Sequence, residues 1–301
     1  MKGLFKKILT ISAVLVLAVC CLFSTACASS KVTLEVKVMV YESSKGAAYE
    51  QTLLVDLFDG VAPKTVKAIT DYAKAGYYDG LTFYTLKSFD GSSAYSSQIM
   101  MGDYFYNQQE RILQVRENEN DFKPYLEGEF KNGGYVGSNL KNESGVIGLW
   151  RTWQKGDSYE TNNWANTGKA TWYVPTTTIG DYDDNFCLFG KIRTTDADTA
   201  TAWGKITSVC KSSAAKQDFV VFYTGEYNAD DSVYNNGLTY NCLPQDDFDE
   251  LTEIEKENMN IFEAENGQYV KYNKTIITMP IYSDGTGYKN SGARIVSVKV
   301  K

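Results

Sequence analysis

Apolar and polar side chains alternate from Val32 to Tyr41 (VTLEVKVMVY), the period of a strand with one buried face. A Ser/Gly turn separates this run from a second one, QTLLVDLF, at 51–58. The period then lengthens in APKTVKAITDYAKAG (62–76), where Val66, Ile69 and Ala73 fall at helical spacing. Pro63 suits the first turn of that helix, and Gly76 stands where a C-terminal cap is expected. LTFYTL (81–86) reads as a strand again. From Gly91 to Thr171 the chain is rich in Gly, Ser, Asn and Tyr, and its apolar islands SQIMMGD, SGVIGLWR and ATWYV predict short strands on long loops, as in a barrel or sandwich. FCLFGKI (186–192) predicts a further strand, and TDADTATAWGKITSVC (195–210) a second helix opened by a Thr or Asp cap. Beyond it, DFVVFYTGEY (218–227) predicts an added strand, and the acidic run PQDDFDELTEIEKENMNIFEAEN (244–266) a solvated helix with Phe248, Leu251 and Ile254 on one face. TIITMPIY and RIVSVKVK alternate and predict terminal strands. No internal repeat and no long linker divides the chain.

The first residues do not fit this pattern. Lys2, Lys6 and Lys7 precede an apolar run from Ile8 to Phe23, shorter than the roughly 20 residues a membrane-spanning helix needs. Ser24, Thr25 and Ala26 then lead to Cys27, the layout of an export signal. Cysteine directly after small residues resembles a bacterial lipobox, although Ser24 stands where leucine is usual. The expectation is a signal peptide at 1–26, lipidation of Cys27 and a short tether at 27–32, which places the protein outside the cytoplasm on the cell membrane. Loss of residues 1–26 removes three lysines and no acids, so the net charge moves from −7 to −10. Such a chain is a poor partner for nucleic acid, which needs concentrated Lys and Arg.

Three cysteines follow Cys27, at 187, 210 and 242. An odd number cannot all pair; Cys210 with Cys242 is the expected couple, because Cys187 lies in the apolar run FCLFGKI. The chain has no histidine, which excludes Ser-His-Asp and Cys-His nucleophiles and histidine-ligated zinc. DYDDN (181–185) begins like a calcium loop, but Phe186 and Ile192 stand at the positions that require glycine and glutamate. No metal and no cofactor is expected.

In order along the chain, LLVDLFDGVAPKTVKAITDYAKAGYYDGLTFYTL (53–86), IMMGD (99–103), LKNESGVIGLWR (140–151), NTGKATWYV (166–174) and FCLFGKI (186–192) resemble the cyclophilin-type peptidyl-prolyl isomerases. The resemblance implies a mainly β fold: a closed antiparallel barrel of about eight strands capped by two helices, here over residues 33–301. An α/β insertion at about 211–270 has no counterpart in it. It also implies a monomer that binds proline-containing segments of exported proteins and catalyses rotation about the X-Pro bond.

The site positions depart from the family pattern. The family arginine follows Phe83 by two residues, and Thr85 stands there. The family glutamine falls on Met100, with Gln98 two residues earlier on the same strand face. Thr171 and Tyr173 take the places of a glutamine and the pocket phenylalanine, Phe186 that of a histidine, and the tryptophan position lands near Asp181. Trp150 is placed beside the groove. Catalysis is therefore expected to be weakened, with Arg151 as a displaced donor and Gln98 as a neutral one. The alternative is a surface lipoprotein without catalysis that binds peptide, or carbohydrate through exposed Trp and Tyr.

Overall fold

The computed structural model describes residues 32–87, 97–116, 126–135, 139–151, 166, 168–212, 216–227, 234–250, 252, 261–263, 269–271, 273–283, 285 and 289–301. Cys27 and the export segment lie outside them.

The alternating run at the start becomes β1 (Val32–Glu42), paired antiparallel along its whole length with β2 (Ala47–Leu57). Its period of two sends Leu34, Val36, Val38 and Val40 to one face, each at most 1% exposed. β4 (Gln98–Met101), β7 (Val146–Leu149), β8 (Trp172–Pro175), β9 (Leu188–Ile192) and β16 (Ala293–Val300) complete an antiparallel sheet in the order β16-β1-β2-β9-β7-β8-β4. This sheet curls into a half-barrel around the main core. Between its two end strands runs the segment 80–84. Gly80 and Phe83 N–H donate to Ile295 and Ala293 C=O on one side, and Tyr84 and Met100 exchange both backbone bonds on the other.

Two helices cover the sheet. α1 (Pro63–Lys74) packs on β16, burying Val66, Ile69, Tyr72 and Ala73. Ala62 offers its first turn no side-chain cap; the carboxylate of Glu129 does so instead, accepting the N–H of Lys64 (3.0 Å) and Thr65 (2.7 Å). α2 (Ala197–Lys211) packs on β1 and β2 and is capped by Asp196, which accepts the Thr199 N–H at 2.8 Å.

A second sheet is built mainly from residues that follow α2. β10 (Lys216–Tyr227) pairs with β11 (Tyr234–Pro244) and β14 (Asn273–Ser283); β12 (Ile261–Glu263), β13 (Tyr269–Lys271) and β15 (Lys289–Ser291) extend it. β3 (Thr85–Lys87) joins its edge by pairing with β14. A small hairpin of β5 (Tyr104–Asn107) and β6 (Ile112–Val115) lies beside it.

Four expectations change. LTFYTL does not form one strand, because the chain leaves β16 after Phe83 and pairs with β14 from Thr85. TIITMPIY belongs to the second sheet, not to the end of the barrel. The acidic run gives only a short helix, α3 (Gln245–Asp249), and its IFE becomes β12; the intervening residues, Ile254 among them, fall largely outside the described ones. The expected Cys210–Cys242 couple is also absent, since Cys210 is a free thiol buried on the inner side of α2, with Cys187 free as well. Burial pushes both thiols up to about 12, which keeps them unreactive.

Candidate functional site: the outer face of the half-barrel

Strand alternation sorts the site residues. On β4, Ile99 and Met101 point into the main core while Met100 joins a second cluster outside; on β8, Trp172 and Val174 point in and Tyr173 points out. Cys187 and Phe189 point in, with Phe186 and Leu188 out. The outward set forms the face on which the resemblance places the peptide groove.

That face is packed as a core. Tyr173 (0% exposed) rests on Gly148, where an added Cβ would lie 2.2 Å from its ring, so only glycine admits it. Around it stand Phe186 (5.1 Å between ring centres, 73°) and Tyr182 (5.6 Å, 90°), with Trp150 stacked on Phe186 at 5.7 Å. The edge-on and offset geometries are those that aromatic quadrupoles favour. The Tyr173 hydroxyl donates to Asn142 Oδ1 at 2.5 Å, and burial drives its pKa well above the usual phenol range. Asn142 in turn donates its backbone N–H and Nδ2 to Asp183 Oδ1 (2.8 and 3.1 Å). Burial works against the Asp183 charge, yet the Asn142 donors and Lys141 hold its carboxyl below the usual range. Over Met100 and Tyr173 the cluster continues into the second sheet through Phe219, Ile277 and Met279, all 0% exposed.

The sequence-predicted residues distribute unevenly. Met100, Tyr173 and Phe186 meet in the outer cluster, with the half-buried Trp150 packed against it. Phe83 belongs to the main core on the opposite side. Thr85 is 7% exposed and directs Oγ1 at Thr278 C=O (3.4 Å) on β14. Thr171 donates to Asp103 Oδ2 at 3.3 Å. Arg151 is 4% exposed: its Nε donates to Asn185 C=O (2.8 Å), and its guanidinium lies 4.5 Å from the Phe130 ring centre and 5.1 Å from that of Phe186. Gln98 is fully buried, and neither atom of its amide has a hydrogen-bond partner among the described residues.

Sequence reasoning missed Asp103, although it stands in IMMGD. Its Oδ1 accepts from the Tyr84 hydroxyl at 2.7 Å. Burial raises its carboxyl to about 6, against the opposing pull of Tyr84, Thr171 and Lys169. Gly102 before it adopts φ 116, and an added Cβ there would lie 2.4 Å from the Ala170 carbonyl oxygen, so only glycine makes this turn out of β4. Asn142 and Tyr182 were also missed, because a lone Asn and a loop Tyr carry no motif. Among the described residues no three His, Cys, Asp or Glu side chains are grouped to hold a metal, and no helix is long and apolar enough to cross a membrane.

The family model for cyclophilin type peptidyl-prolyl cis-trans isomerases matches residues 43–222, more than half of the chain. The chain belongs to this family. Among solved structures it is similar to a cyclophilin type peptidyl-prolyl cis-trans isomerase of Cryptosporidium parvum, at 14% identity over 71% of this chain and 96% of that one, with a TM-score of 0.38. The same kind of enzyme from that organism in the presence of the dipeptide Ala-Pro matches at 17% identity over 56% and 84%, with a TM-score of 0.36. No curated protein matches.

Proposed function

We propose that the mature protein works outside the cytoplasm, held to the membrane by lipid on Cys27, as a monomeric peptide-binding member of the family whose isomerase turnover is strongly reduced. The observation that carries this reading is the burial of the face itself, where Gln98, Met100 and Tyr173 are all 0% exposed. Rotation about an X-Pro bond faces a barrier of about 18–20 kcal/mol. Lowering it requires room for the proline ring and a preorganised donor aimed at the twisting amide. The face has its own rings where that room would be. Its nearest guanidinium, that of Arg151, is engaged by Asn185 and two aromatic rings.

Peptide binding is supported by chemistry the face retains. It has aromatic walls, a buried amide at Gln98, and in β3 an edge that already accepts an extended strand. The closed barrel is part of the same proposal, with segment 80–84 as the eighth stave between β4 and β16. A carbohydrate platform is less well supported, since Tyr49 is the exposed large apolar side chain among the described residues, and Lys45 sits 4.4 Å over its ring.

The test is a protease-coupled proline-peptide assay on residues 27–301. Turnover is expected about 10² to 10³ below that of an arginine-bearing family enzyme, the usual effect of losing one preorganised donor. Thr85→Arg should not restore it, because position 85 faces β14; it should lower the melting temperature instead. A wild-type rate equal to that of the arginine-bearing enzyme would overturn the reading.

A further inference from the structure

β14 brings three features to one place. It pairs antiparallel with β3 at the residue in the family arginine position, Thr278 opposite Thr85, with Ile277 opposite Leu86 and Ile276 opposite Lys87. It sends Ile277 and Met279 into the same cluster as Met100 and Tyr173. It also carries an X-Pro step of its own, Met279–Pro280, two residues along from that pairing. An extended, apolar, proline-bearing segment is the kind of ligand this face would take from outside. The segment lies beyond residues 43–222 matched by the family model.

Within the second sheet, β14 has a weak point. Pro280 has no N–H to give to the ladder, and its partner Lys216 is the first residue of β10, so pairing with β10 stops there. Beneath the cover, the Gln98 amide is buried without a hydrogen-bond partner among the described residues. A buried donor and acceptor left unsatisfied favour any state in which they gain partners.

We propose that β14 is an intramolecular ligand of the peptide face, held by strand addition to β3, and that an external proline-containing peptide binds only when the second sheet lifts. This rests on the peptide-binding reading above. The cover then sets the apparent affinity, because a site open for a small fraction of the time binds weaker by that fraction.

Hydrogen exchange with mass spectrometry on residues 27–301 tests the cover. Amides of β3 and β14 are expected to exchange by local opening at least tenfold faster than those of β1 and β2. Exchange of all four at one common rate would mean the second sheet is fixed core, and would overturn the inference while leaving the reduced-turnover reading standing. The second arm uses Ile277→Ala with Met279→Ala, and a fluorescein-labelled Ala-Ala-Pro-Phe peptide as probe. At least tenfold tighter binding than wild type, with protection of β3 by the peptide, is expected. If the double variant does not fold, the same probe is titrated against wild type in urea below the barrel transition, where tighter binding than in buffer is expected. Opening of β3 without any binding would sink the peptide-binding reading itself. Wild-type binding as tight as that of the loosened protein would show that β14 does not compete, and would overturn the inference.

Discussion

Asp103 and Tyr173 are the residues at which local chemistry departs most from what the sequence pattern suggests. Asp103 keeps its proton in the folded protein up to about pH 6, whereas an unfolded aspartate releases it near 3.8. Between those values the folded state holds the extra proton, so this group's stabilisation is complete below 3.8 and lost as pH rises through 6. The stability difference between wild type and Asp103→Asn should therefore move against wild type from pH 4 to pH 7; a flat difference in urea midpoints would contradict the burial of that carboxyl. Tyr173 depends on Gly148 in the same way a ring depends on its floor. Gly148→Ala should destabilise by about 1–3 kcal/mol through overpacking, measured by denaturant unfolding. Period-two alternation made the inward or outward sense of most such residues legible. It could not reveal that Thr85 opposes Thr278, because they are separated by 193 positions and no local rule links them.

At the scale of elements, α1 was legible from Pro63 and the spacing of Val66, Ile69 and Ala73, and α2 from its Asp196 cap. The true cap of α1 was not, since Glu129 comes from 64 residues away. Glu129→Ala should cost about 0.5–2 kcal/mol, the usual effect of removing a cap, read as a lower urea midpoint. β1 and β2 were equally plain, since β1 alternates buried and half-buried side chains from Leu34 to Val40. β14 alternates too, and that is why TIITMPIY was assigned to the barrel: the pattern says that a face is buried, but not which sheet buries it. Pro280 was the available clue, for a proline favours an edge or the start of a strand over the middle of a closed sheet.

The whole molecule is a half-barrel sheet with a second sheet laid against one side, and its anchoring by lipid on Cys27 is part of the proposal. One acyl chain anchors only marginally, so stable retention requires the multiply acylated cysteine of such lipoproteins. Cys27→Ser should release the protein into the medium, scored by immunoblot of membrane and soluble fractions; undiminished retention would point to an uncleaved signal segment instead.

The central claim, that the family's peptide face is covered by the chain's own residues, is tested most directly by mapping methionine oxidation in the folded protein. Met100 and Met279 are 0% exposed across the cover, Met101 is 2% exposed in the main core, and Met39 on β1 is partly exposed. After brief treatment with hydrogen peroxide, Met39 should be converted while Met100, Met279 and Met101 remain protected. Oxidation of Met100 as fast as Met39, with Met101 still protected, would show an open face on an intact main core and contradict the claim.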